Sequence, residues 1–216
     1  FLDKQRLLDA AQVLANGRVY SMDLGYRHDG KGNGRYWLLW SGTGIDGYIV
    51  HQIEPRPRWS KKLGPLGYVM QSFKAMQQYP NIRATVNVDG RIFEDEFVLI
   101  TVSNCRMYGG EVLLNPTGIL NDGLLEIWLF RGKGMHRLIQ YAIATKLAKH
   151  TEDDDVIMVQ GKQITVNTKP VIGCHADGDP AGFSPLFCDI KPGALRMLVP
   201  NTAPADMFTG KGEPLE

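Results

Sequence analysis

Apolar residues near the start of the chain recur with the spacing of one face of a helix. These positions are Leu7, Ala10, Ala11 and Leu14. Asp3 is suited to cap a helix and Gly17 to end one, so the pattern predicts a helix over about residues 3–16. From Arg18 the period changes from helical to strand-like, which marks the first boundary between elements.

Two segments that follow have the period of two that strands show. Arg18 to Leu24 alternates well enough for a strand, and Arg35 to Trp40 is a second, more apolar strand. Residues 28–34 between them, His-Asp-Gly-Lys-Gly-Asn-Gly, have the composition of a flexible turn. Together these segments predict a hairpin that feeds the core.

Helical periodicity returns in the middle of the chain and again further on. Tyr48 to Glu54 is compatible with a short helix, and a clearer helix ends before Tyr79-Pro80. The predicted apolar face of this helix comprises Trp59, Leu63, Leu66, Met70 and Phe73. We therefore predict helical elements within about residues 46–78, and a further amphipathic helix, Leu138 to His150, within about 136–149.

The remaining segments read as strands with turns at roughly ten-residue spacing. The predicted strands and hairpins cover Ala84, Val86 and Val88 up to the Asp89-Gly90 turn, Ile92 to Asn104, a hairpin from Val156 to Val166 around Gly161-Lys162, and Ala194 to Val199. Pro204 to Glu216 reads as a frayed tail. This pattern predicts a mainly β fold with inserted helices, an antiparallel β-sandwich, in preference to alternating βαβ units.

Composition restricts the class of protein further. The chain has 216 residues, of which 44% are hydrophobic and 22% charged, as expected for a globular protein with one good-sized core. A formal charge of +1 excludes binding to nucleic acid through bulk positive charge, so no nucleic-acid partner is predicted. No apolar run is long enough to cross a bilayer, which indicates a soluble or peripheral protein.

Three cysteines, Cys105, Cys174 and Cys188, are an odd number without Cys-x-x-Cys spacing. The pattern indicates neither a disulfide framework nor a zinc site. A reducing, cytoplasmic environment is the expectation that fits it best.

The stretch Val171 to Pro180 carries the strongest candidate chemistry. It predicts a strand that runs into a tight Asp-Gly-Asp-Pro turn, because Asp-Gly favours positive φ and Pro180 cannot continue a sheet ladder. Asp177 and Asp179 are therefore expected at a strand end, where a carboxylate on a rigid scaffold can act as a general base or a metal ligand. On the residues alone, a solvated hairpin turn is the commoner reason for an Asp-Gly-Asp sequence.

A glycine-bearing motif, Ser41-Gly-Thr-Gly-Ile-Asp46-Gly, lies between a predicted strand and a predicted helix. At such a junction Gly42 and Gly44 let backbone N–H groups face an anion, which makes these glycines and Asp46 candidates for cofactor binding. The full spacing of a dinucleotide-binding or P-loop motif is absent, and this favours close packing of the backbone as the reason for the glycines.

Another turn, Asn121-Asp122-Gly123, precedes a strongly apolar strand. A tight turn that presents the Asp122 carboxylate amid backbone carbonyls suits a hard cation such as Mg²⁺. Asn-Asp-Gly is also good turn chemistry in its own right, so both interpretations stay open at this point.

Four cations and one tryptophan lie within residues 56–62. They are Arg56, Arg58, Trp59, Lys61 and Lys62. Such a cluster is suited to an anionic lipid surface, with the indole at the level of the headgroups. The alternative is a solvated loop that precedes a helix.

Several motifs, in their order along the chain, resemble the C-terminal domain of the bacterial diacylglycerol kinase-like lipid kinases. They are Asn104-Cys-Arg-Met-Tyr-Gly-Gly, Asn115-Pro with Leu120-Asn-Asp122-Gly-Leu-Leu, His175-Ala-Asp-Gly-Asp-Pro, and Lys191-Pro-Gly-Ala-Leu-Arg-Met-Leu-Val-Pro200. Segments 41–46 and 63–68 also fall where that family has similar sequences. The resemblance extends from about Asp3 to Pro200.

The resemblance implies a β-sandwich domain over residues 1–200, followed by a tail over 201–216, that works beside a separate nucleotide-binding domain. In the family that other domain binds the phosphates of ATP with a Gly-Gly-Asp-Gly-Thr loop, which this sequence does not contain. Because the chain also begins without an initiator Met, we expect it to be the second domain of a two-domain kinase and to be inactive alone.

The resemblance also assigns roles to individual residues. Asp179 corresponds to the general base of the family, with Asp in place of a Glu that is one methylene longer, and Asp177 is expected to orient the substrate or assist metal binding. Asp122, with the carbonyls of Ile119 and Leu124, corresponds to a structural Mg²⁺ site.

The activity implied is transfer of phosphate from ATP to the hydroxyl of a lipid of the diacylglycerol or sphingoid-base type, in the cytoplasm and at the periphery of the membrane. One alternative is a non-catalytic β-sandwich that binds lipid or protein, and another is a relative of the NAD kinases. The sequence leaves the identity of the lipid and the formation of a homodimer open.

Overall fold

The computed structural model describes residues 4–55, 65–110 and 112–214. The helices are α1 (Lys4–Ala15), α2 (Ile45–Ile53), α3 (Pro65–Gln77) and α4 (Gly134–Lys146), with two short 3₁₀ turns at His150–Glu152 and Ala205–Met207. The strands are β1 (Arg18–His28), β2 (Gly34–Trp37), β3 (Trp40–Gly44), β4 (Ile82–Val88), β5 (Arg91–Ser103), β6 (Met107–Tyr108), β7 (Val112–Leu113), β8 (Leu125–Arg131), β9 (Val156–Gly161), β10 (Gln163–Lys169), β11 (Gly173–Ala176), β12 (Asp179–Phe183), β13 (Leu186–Val199) and β14 (Glu213–Pro214).

Twelve of these strands form one curled antiparallel sheet, which confirms the predicted mainly β sandwich with inserted helices. The main path of the sheet runs β12-β11-β3-β5-β4-β10-β13-β1-β14, and β2, β8 and β9 join it at the side. The long strand β5 connects two parts of the sheet: its first half pairs with β4, and its second half pairs with both β3 and β8. Within the described residues, no helix is long and apolar enough to cross a membrane.

The burial pattern explains why some strands alternate in sequence and others are apolar throughout. In β4 the residues Ile82, Ala84, Val86 and Val88 are buried and the positions between them are more exposed, as the alternation predicts. In contrast, β8 is buried on both faces. One face of β8 joins the main core, and the other packs with Tyr141 of α4, whose ring lies 5.1 Å from that of Phe130.

The predicted hairpin from Val156 to Val166 is wrong, because its two strands do not pair with each other. β9 pairs with β8, whereas β10 pairs with β4 and β13. At the crossing the Asp89 carboxylate accepts hydrogen bonds from the N–H groups of Lys162 and Gln163, each at 2.8 Å. Alternation in the sequence shows which face of a strand is buried but does not identify its neighbours.

Residues 34–44 also differ from the prediction. The single predicted strand Arg35 to Trp40 is divided into β2 and β3 by a break at Leu38 and Leu39. The glycines predicted to lie at the junction after this strand, Gly42 and Gly44, belong to β3, a fully buried strand paired with β5 on one side and β11 on the other.

The tail predicted to be frayed is packed against the sheet as far as Pro214. The ring of Phe208 stacks on Tyr20 of β1 at 4.2 Å, and β14 pairs with the start of β1. In addition, the Leu120 N–H donates to the Met207 carbonyl at 2.9 Å. The polar and glycine-rich composition of this segment predicted a frayed end, but Phe208 within it is buried against the sheet.

Candidate active site

The Asp-Gly-Asp-Pro sequence forms a tight hairpin between β11 and β12. Asp177 and Gly178 are its two turn residues, with φ of 51° and 83°, and Ala176 pairs with Asp179 across the turn. Two positive φ angles in a two-residue turn are what the Asp-Gly pair favours. The expectation that Pro180 ends the ladder is wrong, since Pro180 lies in β12 opposite His175. β12 is an edge strand, where a missing N–H is tolerated.

Asp177 closes the gap between β2 and β3. Its carboxylate accepts hydrogen bonds from the backbone N–H groups of Leu38, Leu39 and Trp40, at 2.7, 2.8 and 3.1 Å. Its own N–H donates to the Trp40 carbonyl at 2.7 Å. The geometry gives Asp177 a structural function, and the predicted role in orienting the substrate or assisting a metal stays a prediction.

Replacing Asp177 by alanine is expected to lower the free energy of unfolding by about 2 kcal/mol, because three N–H groups lose a charged acceptor. Alanine is also strained at the positive φ of this position. Exposure of the turn keeps the loss below the sum of three separate hydrogen bonds. Urea unfolding of the two proteins measures the difference.

The matched control is Asp177→Asn, since asparagine tolerates positive φ and keeps one acceptor oxygen. We expect it to lose clearly less stability than the alanine variant. Equal stability of the wild type and Asp177→Ala would remove Asp177 from its role at the β2–β3 break.

Asp179 lies on the outside of the same hairpin. Its side chain is 70% exposed and forms an ion pair with Arg35 of β2 at 3.4 Å, while the Arg35 side chain is 42% exposed. An exposed carboxylate beside an arginine is accessible to a molecule that approaches from solvent. The two acidic residues of the motif therefore have different environments, because the turn directs their side chains to different neighbours.

A cavity of about 430 Å³ lies on the inner side of the hairpin, and its wall is mostly apolar. The residues lining it include Leu39, Trp40, Ile49 and Val50, together with Asp177 and Gly178 of the turn. Cavities of this size and polarity are typical of sites for small molecules. The hairpin thus places an exposed carboxylate directly after a residue, Gly178, that lines a largely apolar cavity.

The polar groups of this cavity centre on a buried pair of ionisable residues. The His175 Nε2 atom lies 2.7 Å from Oδ2 of Asp46, and the side chains are only 4% and 10% exposed. Oδ1 of Asp46 accepts the N–H of Gly47 at 2.6 Å, and the Tyr108 hydroxyl lies 3.4 Å from Oδ2. Asp46 stands in the first turn of α2, where the helix dipole favours a negative charge.

Two opposing effects act on the pKa of His175. Burial by itself lowers the pKa of an imidazole, but the charge of Asp46 and the hydrogen bond to it raise the pKa, and Asp177 adds to the rise. The net effect holds the pKa of His175 above its ordinary value. Protonation of His175 to the imidazolium is therefore more favourable than protonation of an isolated histidine.

The glycines of the strand–helix motif make room for this pair. A Cβ atom on Gly42 would lie 2.9 Å from Oδ2 of Asp46, and one on Gly47 would lie 2.2 Å from the Gly173 carbonyl oxygen. Gly44, with φ of 104°, directs the chain from β3 into α2. Because β3 is paired on both sides, its backbone N–H and C=O groups are used in hydrogen bonds to the neighbouring strands. Close packing therefore explains Gly42 and Gly44 better than the binding of an anion does.

The turn around Asp122 is organised by Asp23, a residue that sequence reasoning missed. Asp23 is 2% exposed and accepts the N–H groups of Gly123 and Gly193, each at 2.7 Å. Asp122 accepts the N–H of Leu124 at 3.0 Å. Burial and the nearby charge of Asp23 raise the pKa of Asp122. Asp23 lies at a register shift of β1, a local feature with no sequence signal of its own.

The predicted Mg²⁺ site is not part of this cavity. Asp122, Ile119 and Leu124 do not line it. Among the described residues there is no cluster of three or more His, Cys, Asp or Glu side chains suited to a metal. The predicted Mg²⁺ site consists of one carboxylate and two backbone carbonyls. A search for clusters of side chains does not test such a site, so it stays a prediction. The basic cluster from Arg56 to Lys62 lies outside the described residues.

Asp46 was predicted as a site residue from the sequence. The structure places beside it three side chains to which the sequence assigned no role: His175, Tyr108 and Trp40. His175 stands within the quoted motif, but nothing in its neighbours along the chain indicates a partner 129 residues away. The glycines at positions 42 and 47 were the sequence signal of a crowded site.

The fold and this site define a β-sandwich domain of the type found in kinase-like proteins. Residues 41–199 match the family described as YegS C-terminal NAD kinase beta sandwich-like domain. The chain belongs to this family, and the resemblance noted from its motifs is confirmed.

Named relatives point in the same direction. The chain is 25% identical over 187 residues to a diacylglycerol kinase of Bacillus subtilis (strain 168), covering 85% of this chain and 58% of the relative. It is 28% identical over 193 residues to a diacylglycerol kinase of Mycobacterium tuberculosis, covering 88% and 61%. The chain thus spans about 60% of the length of these relatives.

A solved structure shares the fold. A crystal structure of a diacylglycerol kinase from Bacillus anthracis str. Sterne superposes with a TM-score of 0.62 at 22% identity, covering 91% of this chain and 60% of that chain. At this level of identity the likeness concerns the fold alone.

Proposed function

We propose that this chain provides the lipid-acceptor side of an ATP-dependent lipid kinase. The observation that carries the proposal is the β11–β12 hairpin, which presents the exposed Asp179 carboxylate next to a largely apolar cavity. Family membership and the names of the relatives support the same class of activity. Diacylglycerol is the first substrate to test, because these relatives are named for it.

In the proposed reaction, Asp179 accepts the proton of the lipid hydroxyl while the hydroxyl oxygen forms a bond to the γ-phosphorus of ATP. The bond between that phosphorus and the β–γ bridging oxygen breaks, and ADP leaves with the electron pair. Such transfer requires mainly positioning and neutralisation of charge, so a carboxylate on one domain and a triphosphate on another suffice. The Asp179 carboxylate forms an exposed ion pair with Arg35 at 3.4 Å.

The residues around Asp122 are suited to the Mg²⁺ ion that the family implies. Asp122 lies near a second carboxylate, Asp23, and forms no ion pair with a cationic side chain in the part of the chain described. Asp122 and the carbonyls of Ile119 and Leu124 would hold the ion, which would neutralise this negative charge and stiffen the turn.

The direct test is phosphate transfer from radiolabelled ATP to lipids in mixed micelles, with the 216-residue chain and the full-length protein side by side. We expect the full-length protein to phosphorylate diacylglycerol or another lipid hydroxyl. We expect the 216-residue chain to transfer none, because its sequence has no Gly-Gly-Asp-Gly-Thr loop for the phosphates.

Each arm can fail separately. Transfer by the 216-residue chain alone would contradict the proposed division of labour between domains. Failure of the full-length protein with diacylglycerol, monoacylglycerol, sphingosine and phosphatidylglycerol alike would contradict the lipid kinase. Three further points stay predictions: contact of Arg56 to Lys62 with the membrane, a peripheral cytoplasmic location, and a homodimer.

A further inference from the structure

Helix α4 presents a row of aliphatic side chains to solvent. Ile139 and Ile143 are 51% and 56% exposed, and Leu147, directly after the last residue of the helix, is 62% exposed. Successive members of the row are four residues apart, so they lie on one side of the helix. The opposite side carries Tyr141, which is buried and packs on Phe130 of β8. The three aliphatic residues, here called the α4 ridge, therefore face away from the core.

The ionisable residues that border the α4 ridge are basic. His136 and Lys146 lie on its side of the helix, Lys149 follows shortly after the helix, and all three are exposed. Residues 132–150 contain no Asp or Glu. Among the described residues, no ion pair includes either of these two lysines. The positive charge beside the ridge is therefore not neutralised within the described part of the chain.

Acidic residues follow the helix in sequence, but the structure places them beside a different side of it. Asp155 lies 2.6 Å from Arg137, and Asp153 lies 4.0 Å from the same guanidinium. Arg137 also donates a hydrogen bond to the hydroxyl of Tyr141, on the side of α4 that packs on the sheet. The acidic run is thus anchored at Arg137 and not along the α4 ridge.

An exposed aliphatic row bordered by lysines is typical of a helix that lies in the interface of an anionic membrane. The aliphatic side chains enter the boundary between headgroups and acyl chains, while the lysine ammonium groups stay at the level of the phosphates. A second copy of the same surface is a poorer partner. A two-fold contact would bring Lys146 and Lys149 close to lysines of the other copy, and like charges across an interface are unfavourable.

The α4 ridge belongs to the helical layer that also forms a wall of the cavity beside the hairpin. A groove of about 360 Å³ lies between α3 and α4, and the residues lining it include Phe73 and Met76 of α3 with Met135 and Leu138 of α4. Ser72 of α3 lines the cavity. Because α3 stands between α4 and the cavity, a membrane that contacts the ridge would lie on the same side of the domain as the cavity wall.

We propose that the α4 ridge and its lysines form a surface that binds anionic phospholipid membranes. This surface is separate from the basic cluster of residues 56–62, which lies outside the described residues. Membrane binding by α4 is a property of the chain itself. It rests on the proposed lipid kinase only for its biological purpose, which is to hold the domain at the bilayer that contains the substrate.

The first test is cosedimentation of the full-length protein with vesicles of phosphatidylcholine alone or of equal parts phosphatidylcholine and phosphatidylglycerol. We expect clear binding to the mixed vesicles and much weaker binding to the neutral ones. Ile143→Glu should lower the affinity for mixed vesicles by about ten-fold or more, because it removes an inserted aliphatic group and adds a negative charge. Lys146→Gln should lower it by about five-fold, the usual contribution of one basic residue at an anionic membrane.

Ile92→Glu and Lys31→Gln are the matched controls. Ile92 of β5 is 67% exposed, and Lys31 lies in the exposed loop between β1 and β2. These variants make the same chemical changes away from the helices, so they should keep the wild-type affinity within about two-fold. Circular dichroism checks that each variant is folded.

A fluorescent label shows directly which surface meets the membrane. The three native cysteines are buried, so a polarity-sensitive maleimide added to the folded 216-residue chain reacts with a cysteine introduced at an exposed position. With mixed vesicles, the emission of the label should shift to shorter wavelength in Ile143→Cys and stay unchanged in Ile92→Cys. Both positions are exposed, so neither substitution disturbs the core.

Four results would each overturn the inference: no binding of the wild type to mixed vesicles, equal binding to mixed and neutral vesicles, equal affinity of the wild type and Ile143→Glu, or an unchanged emission in Ile143→Cys. A shift that appears without vesicles and grows with protein concentration would also overturn it, since a second copy would then cover the ridge. Loss of phosphorylation in detergent micelles, with vesicle binding through α4 intact, would count against the kinase proposal alone.

Discussion

Replacing Asp179 by alanine in the full-length protein is expected to lower the turnover number for lipid phosphorylation by about 10²- to 10⁴-fold, the usual contribution of a general base. Without the carboxylate, the lipid hydroxyl has no acceptor for its proton as it attacks phosphorus. The fold should be unaffected, because Asp179 is 70% exposed and its ion pair with Arg35 lies on the surface. The measurement is the initial rate at saturating ATP and lipid, together with the unfolding curve.

Two further variants make this prediction specific. Asp189→Ala removes another partly exposed carboxylate of the same sheet, on β13, and should leave the turnover number within about two-fold, as expected of a surface substitution. Asp179→Glu introduces the longer side chain that the resemblance implies at this position and should retain activity. Turnover by Asp179→Ala at the wild-type rate would exclude this residue as the base.

Replacing Asp23 by alanine is expected to lower the free energy of unfolding by about 3 kcal/mol, because two partly buried N–H groups lose their charged acceptor. Those groups belong to Gly123 and Gly193, which lie on separate segments. Asp23 is 2% exposed, so water cannot readily replace the lost hydrogen bonds. The loss should also loosen the turn that carries Asp122, and hence any binding of Mg²⁺ there.

Urea unfolding, followed by tryptophan fluorescence, measures the stability of the Asp23 variant. The control is Asp206→Ala, which removes a 74% exposed carboxylate from an ion pair with Arg106 and should cost less than about 1 kcal/mol. If both variants lost the same small amount, Asp23 would not be the residue that joins β1, the Asp122 turn and β13.

Features that depend on neighbours in the sequence were predictable. The alternation of Ile82 to Val88, the Asp-Gly turns and the helix α4 appear close to where the pattern places them, because side-chain direction within one element follows from its period. Asp179 was identified as a candidate base from the resemblance of its motif to the lipid kinase family, and the structure shows that its carboxylate is exposed.

Features that depend on distant contacts were not predictable. The Val156 to Val166 segment contains two strands, but the choice of partners for each depends on which surfaces meet. The break at Leu38 and Leu39 exists because a carboxylate 139 and 138 residues away takes up their N–H groups. Likewise, Phe208 packs on Tyr20 only because the end of the chain returns to β1.

The sequence by itself determined that this is a mainly β domain with inserted helices, of a recognisable family, with an acidic hairpin. Local periodicity, turn chemistry and motif order contain that information. Only the tertiary structure decided that the two acids of the hairpin differ, one held by three backbone N–H groups and the other open to solvent, and that Asp46 meets His175 in a cavity. The physical reason is that hydrogen bonding and burial act through space, so the environment of a charge depends on residues far away along the chain.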